Sequence, residues 1–76
     1  PCTVGKDKML VNHTISDSSV SRMHVRFFEE EGDLWMQDLN STNGTYHNGL
    51  RLRPNERVIL EPEDEVGFGR MQFVYR

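Results

Sequence analysis

Apolar residues in this chain come in short bursts, each cut by a turn signal, and no segment holds a helical period over ten residues. His24-Val25-Arg26-Phe27-Phe28 mixes alternation with aromatic content and stops at Glu29, Glu30 and Glu31. Leu34 to Leu39 alternates, so Leu34, Met36 and Asp38 share one face and Trp35, Gln37 and Leu39 the other. Gly32-Asp33 between these segments is a turn signal, and Glu29 to Asp33 is expected to form a hairpin tip where charge is easily solvated. Asn48-Gly49 should close a tight hairpin between Gly44–His47 and Leu50–Leu52, because both residues tolerate positive φ. Asn43-Gly44 sits in a longer loop with Asn40, Ser41 and Thr42. Met9-Leu10-Val11 and Thr14-Ile15 are shorter apolar candidates. Pro54-Asn55 and Pro62-Glu63-Asp64 break the chain around a strand at Arg57–Leu60, and Glu65–Gly69 and Met71–Tyr75 complete the series. Glu61 to Glu65 has room for a single helical turn at most. The pattern predicts an all-β fold, a small antiparallel β-sandwich of two packed sheets, as one domain over residues 1–76. Trp35, Phe27, Phe68 and Phe73 are its expected core aromatics.

Composition narrows the function. At 76 residues the chain is near the lower limit for a self-sufficient core. It contains no run of about 18 apolar residues, which excludes a membrane-spanning helix. Cys2 is the only cysteine, with no Cys or His at zinc spacing; it cannot form an internal disulfide, whereas a secreted domain this small usually carries several, which favours a reducing, intracellular setting, cytoplasmic or, in a eukaryote, nuclear. The net charge of −3 argues against a general nucleic-acid binder. Charge is unevenly spread: Lys6, Lys8, Arg22 and Arg26 outnumber Asp7 and Asp17 early in the chain, and Arg51, Arg53 and Arg57 outnumber Glu56 later. Between them lies an acidic stretch from Glu29 to Asp38 with no base.

Two polar stretches fall in the basic segments: Ser19-Val20-Ser21-Arg22-Met23-His24 and Asn40-Ser41-Thr42-Asn43-Gly44-Thr45. Together they place hydroxyls, amides and a turn former where a chain leaves or enters a strand, more than ordinary connections require. Binding a phosphate in water needs positive charge, hydroxyl and amide donors, and loops with little entropy left to lose. Lys6, directly after Gly5, can add a cation at a sharp bend. The expected ligand of these loops is therefore a small oxygen-rich anion, with phosphate the best candidate.

At these residues the chain resembles the forkhead-associated domain, a β-sandwich module that binds phosphothreonine peptides. The resemblance runs in order through Gly5-Lys6, Ser21-Arg22-Met23-His24, Trp35, Asp38-Leu39, Ser41-Thr42-Asn43-Gly44-Thr45-Tyr46, Asn48-Gly49, Leu60, Glu63-Asp64 and Phe68-Gly69, and covers nearly the whole chain. It implies that Lys6 gives a cation to the phosphate, Ser21 a hydroxyl, and Arg22 a contact to phosphate or peptide backbone. Thr42 would reach the phosphate and shape a pocket for the threonine methyl, and Asn43 would hydrogen-bond the ligand main chain. Ser19 and Ser41 would be secondary peptide contacts, while Gly5, His24 and Gly44 would support the site. The family usually has Arg where this chain has Lys6, so a bidentate fork becomes a point charge and weaker affinity is expected. The family's first strand would lie upstream of Pro1, so either the sequence begins inside the domain or the sandwich is completed some other way.

Other chemistries fit the residues less well. Ser21 and His24 as nucleophile and base lack an orienting acid and a nucleophile-elbow pattern. His13, His24 and His47 share no metal-ligand spacing. The resemblance thus implies a noncatalytic module with no cofactor and no metal, whose partners are a phosphothreonine-containing protein or peptide and a Ser/Thr kinase in the same pathway, with no contact to nucleic acid or membrane. The competing expectation is a phosphate-independent interaction or oligomerisation module on the same sandwich.

Overall fold

A computed structural model describes residues 1–76 as nine strands and no helix. They are β1 (Cys2–Gly5), β2 (His13–Thr14), β3 (Val25–Glu30), β4 (Asp33–Asp38), β5 (Thr45–His47), β6 (Leu50–Arg51), β7 (Arg57–Leu60), β8 (Glu65–Phe68) and β9 (Met71–Val74). Two sheets pack face to face, one ordered β2-β1-β3-β4-β7 and the other β6-β5-β8-β9. All pairings are antiparallel except the short parallel contact of β1 with β2. The expected all-β sandwich is the observed fold.

Local turn chemistry explains the two tightest hairpins. Asn48 (φ 50°) and Gly49 (φ 83°) take the two positive-φ positions that match the right-handed twist of β5 and β6. Glu31 and Gly32 do the same between β3 and β4, so the acidic tip projects into water. Alternation then decides the layers. Val25 and Phe27 on β3, Leu34, Met36 and Asp38 on β4, and Leu60 on β7 turn toward Val66 and Phe68 of the second sheet. Met36 and Val25 are wholly buried at its centre. Fully burying side chains of this kind contributes about 1.5–3 kcal/mol each.

The aromatic expectation needs correction. Of the four residues expected inside, only Phe68 is fully in the core; Phe27 packs against it partly buried, and Phe73 is 42% exposed on the edge strand β9. Trp35 follows the pleat to the outer face, where it stacks on Phe28 at 8° and lies 4.6 Å from the Arg57 guanidinium. Met9-Leu10-Val11 also departs from a strand reading: it is a loop between β1 and β2 with Met9 82% exposed. Between the sheets, beside β9, an apolar hollow of about 310 Å³ opens against Val4, Leu60, Phe68, Phe73 and Tyr75.

A polar lock holds the far end of the second sheet. The His47 ring N–H donates to Asp64 (2.8 Å), as do the Glu61 backbone N–H (2.9 Å) and the Asn48 amide (3.2 Å). These donors, the His47 ring first, lower the Asp64 pKa from 3.8 to about 2. A carboxyl with a depressed folded pKa stabilises the fold above its unfolded value, and that contribution fades as pH falls from 3.8 through about 2. Asp64→Asn should therefore lower stability at neutral pH and flatten the acid limb between those values, read by denaturant midpoints across a pH series.

Candidate functional site

Three connections meet at one end of the sandwich: the β1–β2 loop with Lys6, the β2–β3 segment with Ser18 to Met23, and the β4–β5 crossover with Asn40 to Gly44. Backbone hydrogen bonds bring the first two together, from Lys6 N–H to the Ser21 carbonyl (2.9 Å) and from Asp7 N–H to that of Arg22 (3.2 Å). Gly5 is required for this approach rather than for a bend, since a Cβ there would overlap the Arg22 carbonyl. The third connection carries the chain from one sheet to the other. There Gly44 adopts φ 92°, and a Cβ would lie 2.6 Å from the Arg51 Nε packed over it.

His24 joins the loops from beneath and is wholly buried. Its Nδ1 accepts the Ser21 backbone N–H (3.0 Å), which leaves the ring proton on Nε2 to donate to the Gly44 carbonyl (2.8 Å). With Nδ1 occupied by the Ser21 backbone, this ring is not poised as a base on the Ser21 hydroxyl. Above it, Ser21 Oγ accepts the Thr42 N–H (2.9 Å), and Asn43 Nδ2 donates to the Ser19 carbonyl (2.9 Å). The Ser21 hydroxyl proton, one Asn43 N–H, the Asn43 carbonyl oxygen and the Thr42 hydroxyl are left for a ligand.

The result is a hollow of about 540 Å³ with Lys6, Ser21, Arg22, Thr42 and Asn43 on its wall. None of its lining residues is acidic, although the chain as a whole carries −3. Neither Lys6 nor Arg22 is in an ion pair. Two free cations beside hydroxyls and an amide have the charge and donors that complement a compact anion.

Ser19 and Ser41 are not part of that wall. The Ser41 hydroxyl and backbone N–H bind the carboxylate of Asp38, which also accepts the Thr45 hydroxyl (2.7 Å). Ser19 donates its hydroxyl to Asp17 (2.6 Å) and accepts the Arg70 N–H (3.0 Å). Asp17 in turn takes the Ser19 N–H and the Arg70 side chain, and these bonds, Ser19's first, hold its carboxyl below the usual range. Asp17, Asp38, Arg51 and Arg70 support the loops without being among the expected site residues. Asp17 and Asp38 carry local signals, an Asp two or three residues ahead of a Ser at a turn, whereas Arg51 and Arg70 carry none.

Comparison with known proteins agrees with this architecture. The family model for the FHA domain matches residues 2–69. The chain belongs to the FHA, or forkhead-associated, domain family. Among curated relatives it is similar to the oxoglutarate dehydrogenase inhibitor of Corynebacterium efficiens, 34% identical over 61 residues, covering 80% of this chain and 41% of that protein. It is also 36% identical over 61 residues to the glycogen accumulation regulator GarA of Mycolicibacterium smegmatis, covering 80% and 37%. The FHA domain thus spans about two fifths of the length of these relatives. Among solved structures, the FHA domain of CT664 from Chlamydia trachomatis superposes with a TM-score of 0.87 at 26% identity, covering 96% of this chain and 72% of that one. The MEK1 FHA domain, solved with a phosphothreonine peptide of HOP1, gives 0.76 at 26% identity, covering 96% and 76%. FHA domains are interaction modules, and no helix of this one is long and apolar enough to cross a membrane.

Proposed function

We propose that this FHA domain is a noncatalytic reader of phosphothreonine, docking a phosphorylated segment of a partner protein across its loop end within Ser/Thr kinase signalling. The reading rests on one observation: the unpaired cations of Lys6 and Arg22 share a hollow free of carboxylates with the hydroxyls of Ser21 and Thr42 and the amide of Asn43. A phosphothreonine brings a charge of about −1.5 to −2 and three acceptor oxygens, which those donors complement. Lys6 and Ser21 supply the phosphate contacts, Arg22 the phosphate or peptide backbone, Thr42 the wall beside the threonine methyl, and Asn43 the ligand main chain. Ser19 and Ser41 act at a distance, by holding the two loops. The single cysteine supports a cytoplasmic setting. A second reading, phosphate-independent binding of a protein partner, draws on the exposed Phe73 and Val74 along the edge strand β9.

Titration with a phosphothreonine peptide library, its unphosphorylated counterpart and a phosphoserine version separates these readings. Binding confined to phosphothreonine, and lost in Asn43→Ala, is the expected result. Affinity indifferent to phosphate would favour the second reading. Within the same assay, Lys6→Arg should tighten binding severalfold, because a guanidinium can engage two phosphate oxygens at once. An unchanged affinity would remove Lys6 from the phosphate contacts.

A further inference from the structure

Beside its polar donors the hollow also has apolar lining. Leu10 and Met23 line it alongside Lys6 and Arg22, and they are 48% and 41% exposed. Leu10 is presented by a braced turn. Its N–H donates to the Asp7 carbonyl (2.9 Å), the preceding Met9 N–H donates to the Asp7 carboxylate (2.9 Å), and Asn12 closes the loop onto Thr3 through backbone and side chain. The Met23 backbone is fixed between Arg22, whose carbonyl accepts the Asp7 N–H, and the buried His24. These side chains are therefore held at the surface beside the cations. An anion site alone has no use for them, because a phosphate gains nothing from an apolar neighbour.

We propose that Leu10 and Met23 form an apolar subsite that takes a large aliphatic or aromatic side chain lying close to the phosphothreonine in the bound segment. This rests on the phosphothreonine reading of the same hollow and adds a selectivity to it. The phosphate is held by charge and hydrogen bonds that every phosphothreonine peptide can make, so discrimination between peptides must come from neighbouring side chains. Desolvating Leu10 and Met23 against an aliphatic residue favours such a peptide, while a lysine or aspartate there would leave its own charge poorly solvated. Methionine suits this role because its flexible thioether adapts to differently shaped partners.

The test is a scan of phosphothreonine peptides that carry alanine at all flanking positions except one. Leucine, phenylalanine, lysine or aspartate is then placed in turn at each of the three positions on either side. Isothermal titration with wild type should show one position where leucine or phenylalanine binds roughly tenfold more tightly than alanine or lysine, the scale expected for burying one such side chain. That ratio should collapse toward one in Leu10→Ser and in Met23→Ser, with circular dichroism spectra matching wild type. Phosphate-dependent binding with no apolar preference at any position, or a preference that survives both substitutions, overturns the subsite and leaves the phosphothreonine reading standing. Equal binding of phosphorylated and unphosphorylated peptides overturns both.

Discussion

Ser21→Ala is expected to weaken phosphothreonine-peptide binding by roughly tenfold to hundredfold, the loss for one hydrogen bond to a charged acceptor. The effect is large because the Ser21 hydroxyl is oriented before the ligand arrives. Its oxygen accepts the Thr42 N–H at 2.9 Å, so its own proton points elsewhere and is free to donate. A flexible serine would lose rotamer entropy on binding, and this one has lost it already. Stability should change little by comparison. The Thr42 N–H freed by the substitution lies at an exposed position and can turn to water. The measurement is a pair of titrations, phosphorylated and unphosphorylated, on wild type and variant, with denaturant unfolding of both proteins. A variant that binds the phosphopeptide as wild type does would take Ser21 out of the site. A loss shared equally by both peptides would point instead to a disturbed loop.

The contrast between the strands and the loop end shows what a single sequence makes legible. The alternation from Leu34 to Leu39 and the Asn48-Gly49 turn are local signals, and the structure follows both. Met9-Leu10-Val11 has strand-like apolar content, but the chain there turns back on itself through the Asp7 contacts and has no ladder partner. What decides a strand is a neighbour to pair with, and pairing is not local. The β1–β2 contact is invisible for the same reason, being two residues of parallel ladder across a loop. Trp35 illustrates a different failure, because large aromatic area suggested burial while the pleat sent the ring outward, where Phe28 and Arg57 cover it.

The loop end was legible as chemistry and illegible as construction. Hydroxyls, amides and cations in two polar stretches suggested an anion site. What holds them is long-range: Ser21 with Thr42, Asn43 with Ser19, and Arg70 with Asp17 at a separation of 53 residues. Gly5 shows the limit well. The sequence suggested conformational freedom at a bend, but the residue is glycine because the backbone of Arg22 passes directly against it.

His24→Ala is expected to be the most damaging single substitution at the loop end, with a loss of roughly 3–5 kcal/mol. Three effects add. A wholly buried ring is removed from beneath both loops, leaving a cavity beside Phe68, whose ring centroid lies 6.0 Å away. The Ser21 N–H loses its acceptor, and the Gly44 carbonyl loses its donor. For a domain of this size such a loss is a large share of total stability, so the alanine variant should unfold at much lower denaturant. Two further variants separate the contributions. In His24→Asn the side-chain oxygen can stand where Nδ1 was and keep the Ser21 bond, while the tie to Gly44 is gone. In His24→Gln the terminal amide can reach Gly44 in place of Nε2, while Ser21 is left without its acceptor. Both should be more stable than alanine and less stable than wild type. They should differ in function, because only the asparagine preserves the bond that sets the Ser21 backbone, and through it the hydroxyl aimed at the phosphate. His24→Asn should therefore keep more phosphopeptide affinity than His24→Gln even if their unfolding midpoints coincide. The opposite order would mean that the Gly44 tie, rather than the Ser21 one, governs the geometry of the site.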